Sequence, residues 1–168
     1  MWGAAAMMLT MTQMTPLEQL RSPTAPVLEF RFRIDAYVDP EIPIDDRATG
    51  ELEFIPITGG TVEGVLNGVV TPGGDWCLSK DPTTYRVEAR YGLRLEGGGY
   101  VDVHNIGMLD ESRFAARAGE GAPYFMTNPV FRSVEPGLEW LNRSVFVGQA
   151  EVLEGLTRID VFEVVFPR

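Results

Sequence analysis

Polar and apolar residues alternate along much of this chain. Between Leu28 and Asp39, Leu28, Phe30, Phe32, Ile34, Ala36 and Val38 alternate with Glu29, Arg31, Arg33, Asp35, Tyr37 and Asp39. Successive side chains of a strand point to opposite faces, so this pattern predicts a half-buried β-strand. Tyr85 to Leu95 repeats it, with Tyr85, Val87, Ala89, Tyr91, Leu93 and Leu95 on one face. Shorter strand candidates are Glu51–Ile57, Val62–Val70, Tyr100–Ile106, Tyr124–Phe131, Trp140–Gln149 and Thr157–Phe166. Gly and Pro punctuate the joins, at Gly59-Gly60, at Pro72-Gly73-Gly74 and at Gly97-Gly98-Gly99, as turns require. About eight strands joined by short hairpins form a single antiparallel meander, so the fold class is all-β. A closed or nearly closed β-barrel is preferred to a sandwich, because closure removes sheet edges and leaves room for one small ligand. Asp110 to Ala118 is expected to supply one short helical turn, on the spacing of Phe114 and Ala115. Residues 1–25, with methionines at 7, 8, 11 and 14, read as a poorly ordered N-terminal leader ahead of a single domain at 26–168.

Composition narrows the partners. Acidic residues outnumber basic ones, 24 to 14, for a net charge of −10. That charge repels phosphate backbones and anionic lipid surfaces, so neither nucleic acid nor a membrane is expected as a partner. Its simplest consequence is solubility. The longest apolar run falls well short of the roughly 20 residues that cross a bilayer, and the first positive charge, Arg21, comes too late for a signal peptide. Cys77 is the single cysteine, so no intramolecular disulfide can form, and a reducing, cytoplasmic location fits best. Beside Trp76 in a strand-rich segment, Cys77 reads more readily as a small core residue than as a nucleophile. With one His and one Cys, neither a His/Cys zinc site nor any other metal or cofactor is expected. No Gly-x-Ser-x-Gly elbow presents a serine.

Three segments hold the main candidate chemistry. In the hairpin around Gly97-Gly98-Gly99, register decides where His104 points. A two-residue loop sets Tyr91 opposite His104, which then faces the apolar side. A three-residue loop over Gly97 to Gly99 pairs Leu93 with Val103 and Arg94 with Asp102, and places His104 on the polar side. The second register pairs like with like and is preferred; His104 still has a pKa suited to proton transfer if it lines a pocket. In Gly73-Gly74-Asp75-Trp76, the glycines permit a sharp turn or a close approach to a ligand. If Trp76 packs on the barrel wall, Asp75 points inward, where an apolar setting raises its pKa and equips it as general acid or base. Alternatively Asp75 accepts backbone N–H bonds in a turn. In Trp140-Leu141-Asn142, an indole beside an amide can form a ligand wall, or a core with a satisfied amide. Tyr124, Tyr91 and Arg90 are secondary candidates.

Several ordered motifs together resemble a known family. Ile55 to Gly64 reads Ile-Pro-Ile-Thr-Gly-Gly-Thr-Val-Glu-Gly, followed by Gly68 and by Pro72-Gly73-Gly74-Asp75-Trp76. Next come Ala89-Arg90-Tyr91, Asn105 with Gly107, Tyr124-Phe125 with Thr127 and Pro129, and Trp140-Leu141-Asn142 with Val147-Gly148. This order is similar to the domain of unknown function family 3237, also called uncharacterised protein family 0311, over about Leu28 to Val165. The resemblance implies a β-barrel of bacterial and fungal proteins, commonly without an assigned activity and sometimes encoded among catabolic or natural-product genes. Two positions depart from the family pattern. Gly74 abuts Asp75 where relatives often have an intervening alanine, and Met126 stands where an arginine often follows Tyr-Phe. Loss of that arginine would favour a more neutral ligand.

The combined expectation is a small-molecule-binding barrel that acts without a cofactor by acid/base chemistry on a hydrophobic carbonyl or polyketide-like substrate. Isomerisation, cyclisation, dehydration and decarboxylation all fall within that chemistry. Asp75, His104 and Tyr124 are the candidate catalytic residues, and Trp76, Tyr91, Trp140, Asn142 and Met126 the candidate substrate contacts. The alternatives are a non-catalytic carrier of a small hydrophobic molecule and a structural protein whose interior is filled by its own aromatic rings. A homodimer is the default assembly.

Overall fold

The structure, a computed structural model, describes residues 24–46, 50–115 and 122–167. Most of the leader therefore lies outside the described residues. Among the described residues there are nine strands: β1 (Val27–Val38), β2 (Ile42–Asp45), β3 (Glu51–Gly64), β4 (Gly68–Asp81), β5 (Thr84–Leu95), β6 (Tyr100–Ala115), β7 (Ala122–Arg132), β8 (Phe146–Leu153) and β9 (Leu156–Val165). All pairings are antiparallel, and β3 to β9 follow one another as neighbours round the sheet. β1 pairs with β9 along one edge and with β3 along the other, which closes an eight-stranded barrel. β2 lies outside that ring and extends the edge of β3. No helix among the described residues is long and apolar enough to cross a membrane.

The period-two segments became strands as expected, but the glycine punctuation misled in two places. Gly59-Gly60 is no turn; it lies inside β3. Gly60 has φ of +140°, and a Cβ there would collide with the Asp35 carbonyl oxygen, so this glycine lets β1 and β3 approach where the barrel closes. Ile57 and Val62 are both buried although five residues apart, so the inward face switches across this segment. Pro72-Gly73-Gly74 likewise sits inside β4, at a bulge between Thr71 and Gly74 in the pairing with β5. The true β3–β4 turn is Val65-Leu66-Asn67, within the stretch Val62–Val70 that the pattern predicts as one strand. Asn67 fastens this turn through Nδ2 to the Gly64 carbonyl at 2.9 Å.

The expected helical turn over Asp110–Ala118 does not form in its described part: residues 110–115 belong to β6, and 116–118 lie outside the described residues. The Asp110 carboxylate accepts bonds from the Ser112 backbone N–H and hydroxyl, a local turn of the kind Asp favours. It produces a bulge, after which pairing with β7 resumes at Phe114 and Pro123. Trp140–Gln149 also splits. Residues 139–143 are turns, and β8 begins at Phe146.

The barrel interior is graded along its axis. The end formed by the start of β6, the end of β7 and the start of β8 is packed with rings. Phe32 and Phe131 meet edge to face at 5.3 Å, Phe131 and Phe146 at 5.0 Å, and Trp140 and Phe146 at 5.6 Å. Leu66 and Leu141, from two connecting segments, are buried beside them in the same core. Full burial of each such side chain contributes roughly 1.5–3 kcal/mol. Outside, ion pairs staple β1 to β9: Arg33 binds Asp160, and Arg158 binds Asp35, each through two hydrogen bonds.

Candidate active site

Halfway along the barrel the packing changes. Ile55, Asp75, Ala89 and Asn105 stand directly opposite one another across β3, β4, β5 and β6. Ala89 is the small member of that row and separates the two polar ones, so a hollow opens between them. The cavity is about 40 Å³, lined by Asp75, Tyr91, Asn105 and Thr127 among apolar side chains that include Ala36 and Phe125. A hollow of several hundred Å³, sized for a whole guest, is not present there.

Three side chains that line this hollow carry an unmet polar atom. The Tyr91 hydroxyl, Asn105 Oδ1 and Thr127 Oγ1 are buried, and none has a hydrogen-bond partner among the described residues. Buried polar atoms are normally paired, because an unmet one costs about 1–3 kcal/mol. Three such atoms on one small cavity form a set of hydrogen-bonding positions directed at whatever enters it. Backbone geometry preserves the space around Thr127. Gly107 and Gly148 flank it, and a Cβ on either would strike the threonine side chain.

Asp75 supplies the titratable group. Its side chain points inward because Trp76 takes the outer face, as the strand period requires. Removal from water pushes its pKa up to about 6; the Glu88 backbone N–H, donating to Oδ1 at 2.9 Å, opposes that rise, and the Glu88 charge adds to it. Of the two readings of Asp75, the inward one describes its place; the backbone N–H that it accepts comes from β5 and not from a turn. Burial and the Asp75 charge also raise the Tyr91 pKa, which keeps its phenol protonated as a donor. Cys77 is buried, and desolvation pushes its thiol up to about 12. A protonated thiol is a poor nucleophile, which supports its reading as a core residue.

The other candidates fall elsewhere. β5 and β6 pair Leu93 with Val101 and Arg90 with His104, so the hairpin turns over Glu96-Gly97-Gly98 rather than over Gly97 to Gly99. The parity is that of the preferred register, and His104 lies on the outer face with Nε2 3.0 Å from Glu88 Oε1. Asp102 meets Arg90 at 3.3 Å instead of the expected Arg94. Trp76 is 44% exposed and packs on Phe54 outside the barrel, with Gly74 beneath the Phe54 ring. Tyr124 and Met126 are on the outer side of β7, and the Arg113 guanidinium covers the Tyr124 ring at 4.1 Å. Trp140 belongs to the ring-packed end. Asn142 is exposed and ties down its loop, bonding both the Ser133 N–H and carbonyl. Of the eight candidates, Asp75 and Tyr91 line the cavity; His104, Trp76, Tyr124, Met126, Trp140 and Asn142 do not. Asn105 and Thr127 were missed as site residues, although Asn105 continues the inward row Val101, Val103 and so interrupts an apolar face with an amide.

The chain has clear relatives. A family model described as protein of unknown function, DUF3237, matches residues 26–164. A UPF0311 protein of Clostridium acetobutylicum is 35% identical over 126 residues, which is 69% of this chain and 80% of the relative. A crystal structure of a conserved Rhodopseudomonas palustris protein of unknown function matches with TM-score 0.76 at 30% identity, covering 86% of this chain and 100% of that one. A crystal structure described as an enzyme from Penicillium herquei shares the fold at TM-score 0.68 and 21% identity, covering 86% of this chain and 98% of that one.

Proposed function

This chain belongs to the DUF3237 family, and from that premise we propose that it is an enzyme moving a proton within a small carbonyl or enol substrate, with Asp75 as the acid/base. The observation that carries this reading is the convergence of one inward carboxyl, held out of water, with three unpartnered polar atoms on a single cavity. A group with a pKa of about 6 is half-ionised close to working pH, which is where a general acid/base is most effective. Tyr91 and Thr127 would donate to a developing oxyanion, and Asn105 Oδ1 would accept from a substrate hydroxyl. Ionised Asp75 would take a proton from carbon or oxygen and return it at a second position.

The cavity, at about 40 Å³, is far below the roughly 300–1,000 Å³ of pockets that enclose drug-sized ligands. It accommodates the reacting end of a substrate, not a whole polyketide. The description of the Penicillium herquei relative as an enzyme supports a catalytic over a structural reading.

The test is exchange of the central methylene protons of acetylacetone with deuterated water, followed by NMR. The wild-type protein is expected to accelerate exchange, with a rate that rises through about pH 6 as Asp75 ionises. Asp75→Asn should lose about 10²-fold or more, the usual contribution of a positioned base. An Asp75→Asn protein that exchanges at the wild-type rate removes Asp75 from the chemistry.

A further inference from the structure

A barrel of this kind is expected to pair along every seam, yet one seam parts. β7 and β8 pair at only two positions, Met126 with Gln149 and Thr127 with Gly148. On the ring-packed side, the Asn128 amide closes the gap by donating to the Phe146 carbonyl at 2.8 Å. On the other side no β7–β8 pairing continues the ladder among the described residues. Residues 122–125 and 150–153 run on without pairing to each other, and a cleft of about 270 Å³ opens over them on the outer wall. Pro123 stands on that edge and has no N–H to offer a partner strand.

Phe125 lines both this cleft and the inner cavity. Its ring is buried, and its neighbour across the parted seam, Ala150, is small and also lines the cleft. The barrel wall between outside and Asp75 is therefore thin at this point, and one side chain occupies it. We propose that the cleft binds the body of the substrate and that Phe125 sets what passes from it to Asp75. This proposal rests on the reading of Asp75 as the proton-transfer group.

The cleft also indicates the class of ligand. Its two arginines are already engaged: Arg33 by Asp160 at 2.7 and 3.0 Å, and Arg158 by Asp35 at 2.8 Å through both nitrogens. Neither guanidinium is set aside for an anionic substituent. Pro123 and Met126 give an apolar wall, Gln149 gives an amide, and the Glu151 carboxylate disfavours an anion. The parted strands present backbone N–H and C=O groups along one line. An uncharged, flat molecule with a ring and a carbonyl- or hydroxyl-bearing edge suits these surfaces: ring on Met126 and Pro123, polar edge on the unpaired backbone.

The test compares a ring-bearing diketone, benzoylacetone, with acetylacetone. Met126→Cys is labelled with N-phenylmaleimide to fill the cleft; Cys77 is buried and stays unlabelled. Val69→Cys, on an exposed outer position of β4, carries the same label as a control. Equilibrium dialysis should show benzoylacetone bound by wild type and by labelled Val69→Cys, and lost by about tenfold in affinity from labelled Met126→Cys. Phe125→Ala should speed exchange of benzoylacetone relative to acetylacetone. Absence of benzoylacetone binding to wild type, or undiminished binding by labelled Met126→Cys, overturns the cleft proposal. Binding without any proton exchange would instead overturn the role of Asp75 and leave the cleft standing.

Discussion

The two halves of the barrel interior are built from the same strands and differ in what their inward positions carry. Toward one end, inward positions hold Phe32, Phe131 and Phe146, with Trp140 and Leu141 from a connecting loop pressed onto them. Toward the middle, inward positions hold Ala36, Ala89, Asn105 and Thr127, and Asp75 lines the same cavity. The first half is satisfied and space-filling. The second half leaves a hollow, three unmet polar atoms and a carboxyl held out of water, all of which cost stability. A fold that only needed to be stable would have filled both halves alike. The difference marks the middle of the barrel as the place where stability is given up for chemistry.

Substitutions sharpen that contrast, beginning with the largest effect. Phe131→Ala, at the centre of the ring cluster, should destabilise the protein by about 3–5 kcal/mol in chemical denaturation. Asp75→Asn should act in the opposite direction. Its pKa is raised from 3.8 to about 6 on folding, so the folded state holds the proton more tightly than the unfolded state. Wild-type stability therefore falls as pH rises through that window, and the fall is complete above about pH 6. The neutral amide escapes this loss. Asp75→Asn should be more stable than wild type by about 2 kcal/mol at neutral pH, allowing for the partial exposure of the group, with the advantage vanishing below about pH 4. Thr127→Val and Tyr91→Phe remove hydroxyls that have no partner, so each should leave stability unchanged or raise it by up to about 1 kcal/mol while slowing exchange. His104→Ala, on the outer face against Glu88, should change stability by less than about 1 kcal/mol and leave exchange untouched.

Most of the barrel was legible because alternation is a property of single strands. Leu28–Asp39 and Tyr85–Leu95 declare their two faces without reference to anything else. What escaped depended on relations between strands. Gly60 looks like a turn and is instead the contact that lets β1 close on β3. The spacing of Phe114 and Ala115 reads as a helical turn, but Asp110 and Ser112 bond locally to make a bulge. The inward direction of Asp75 was readable from its neighbour Trp76, since adjacent residues face apart. Tyr91 followed from its strand. Asn105 and Thr127 became visible as site residues only when registers across β5, β6 and β7 set them on one cavity. Trp140 and Asn142 carry residue types common in ligand sites, yet the loop they occupy uses the ring for packing and the amide to fasten Ser133.

The central claim is that Asp75 sits ionisable and poised inside an otherwise neutral hollow. Carbon-detected NMR of the labelled Asp75 carboxyl, followed through a pH titration of the folded protein, reads this directly. A midpoint near pH 6, with the Tyr91 ring signal moving in the same step, is the predicted result. A midpoint in the ordinary aspartate range, close to 3.8, would place the carboxyl in water and contradict it.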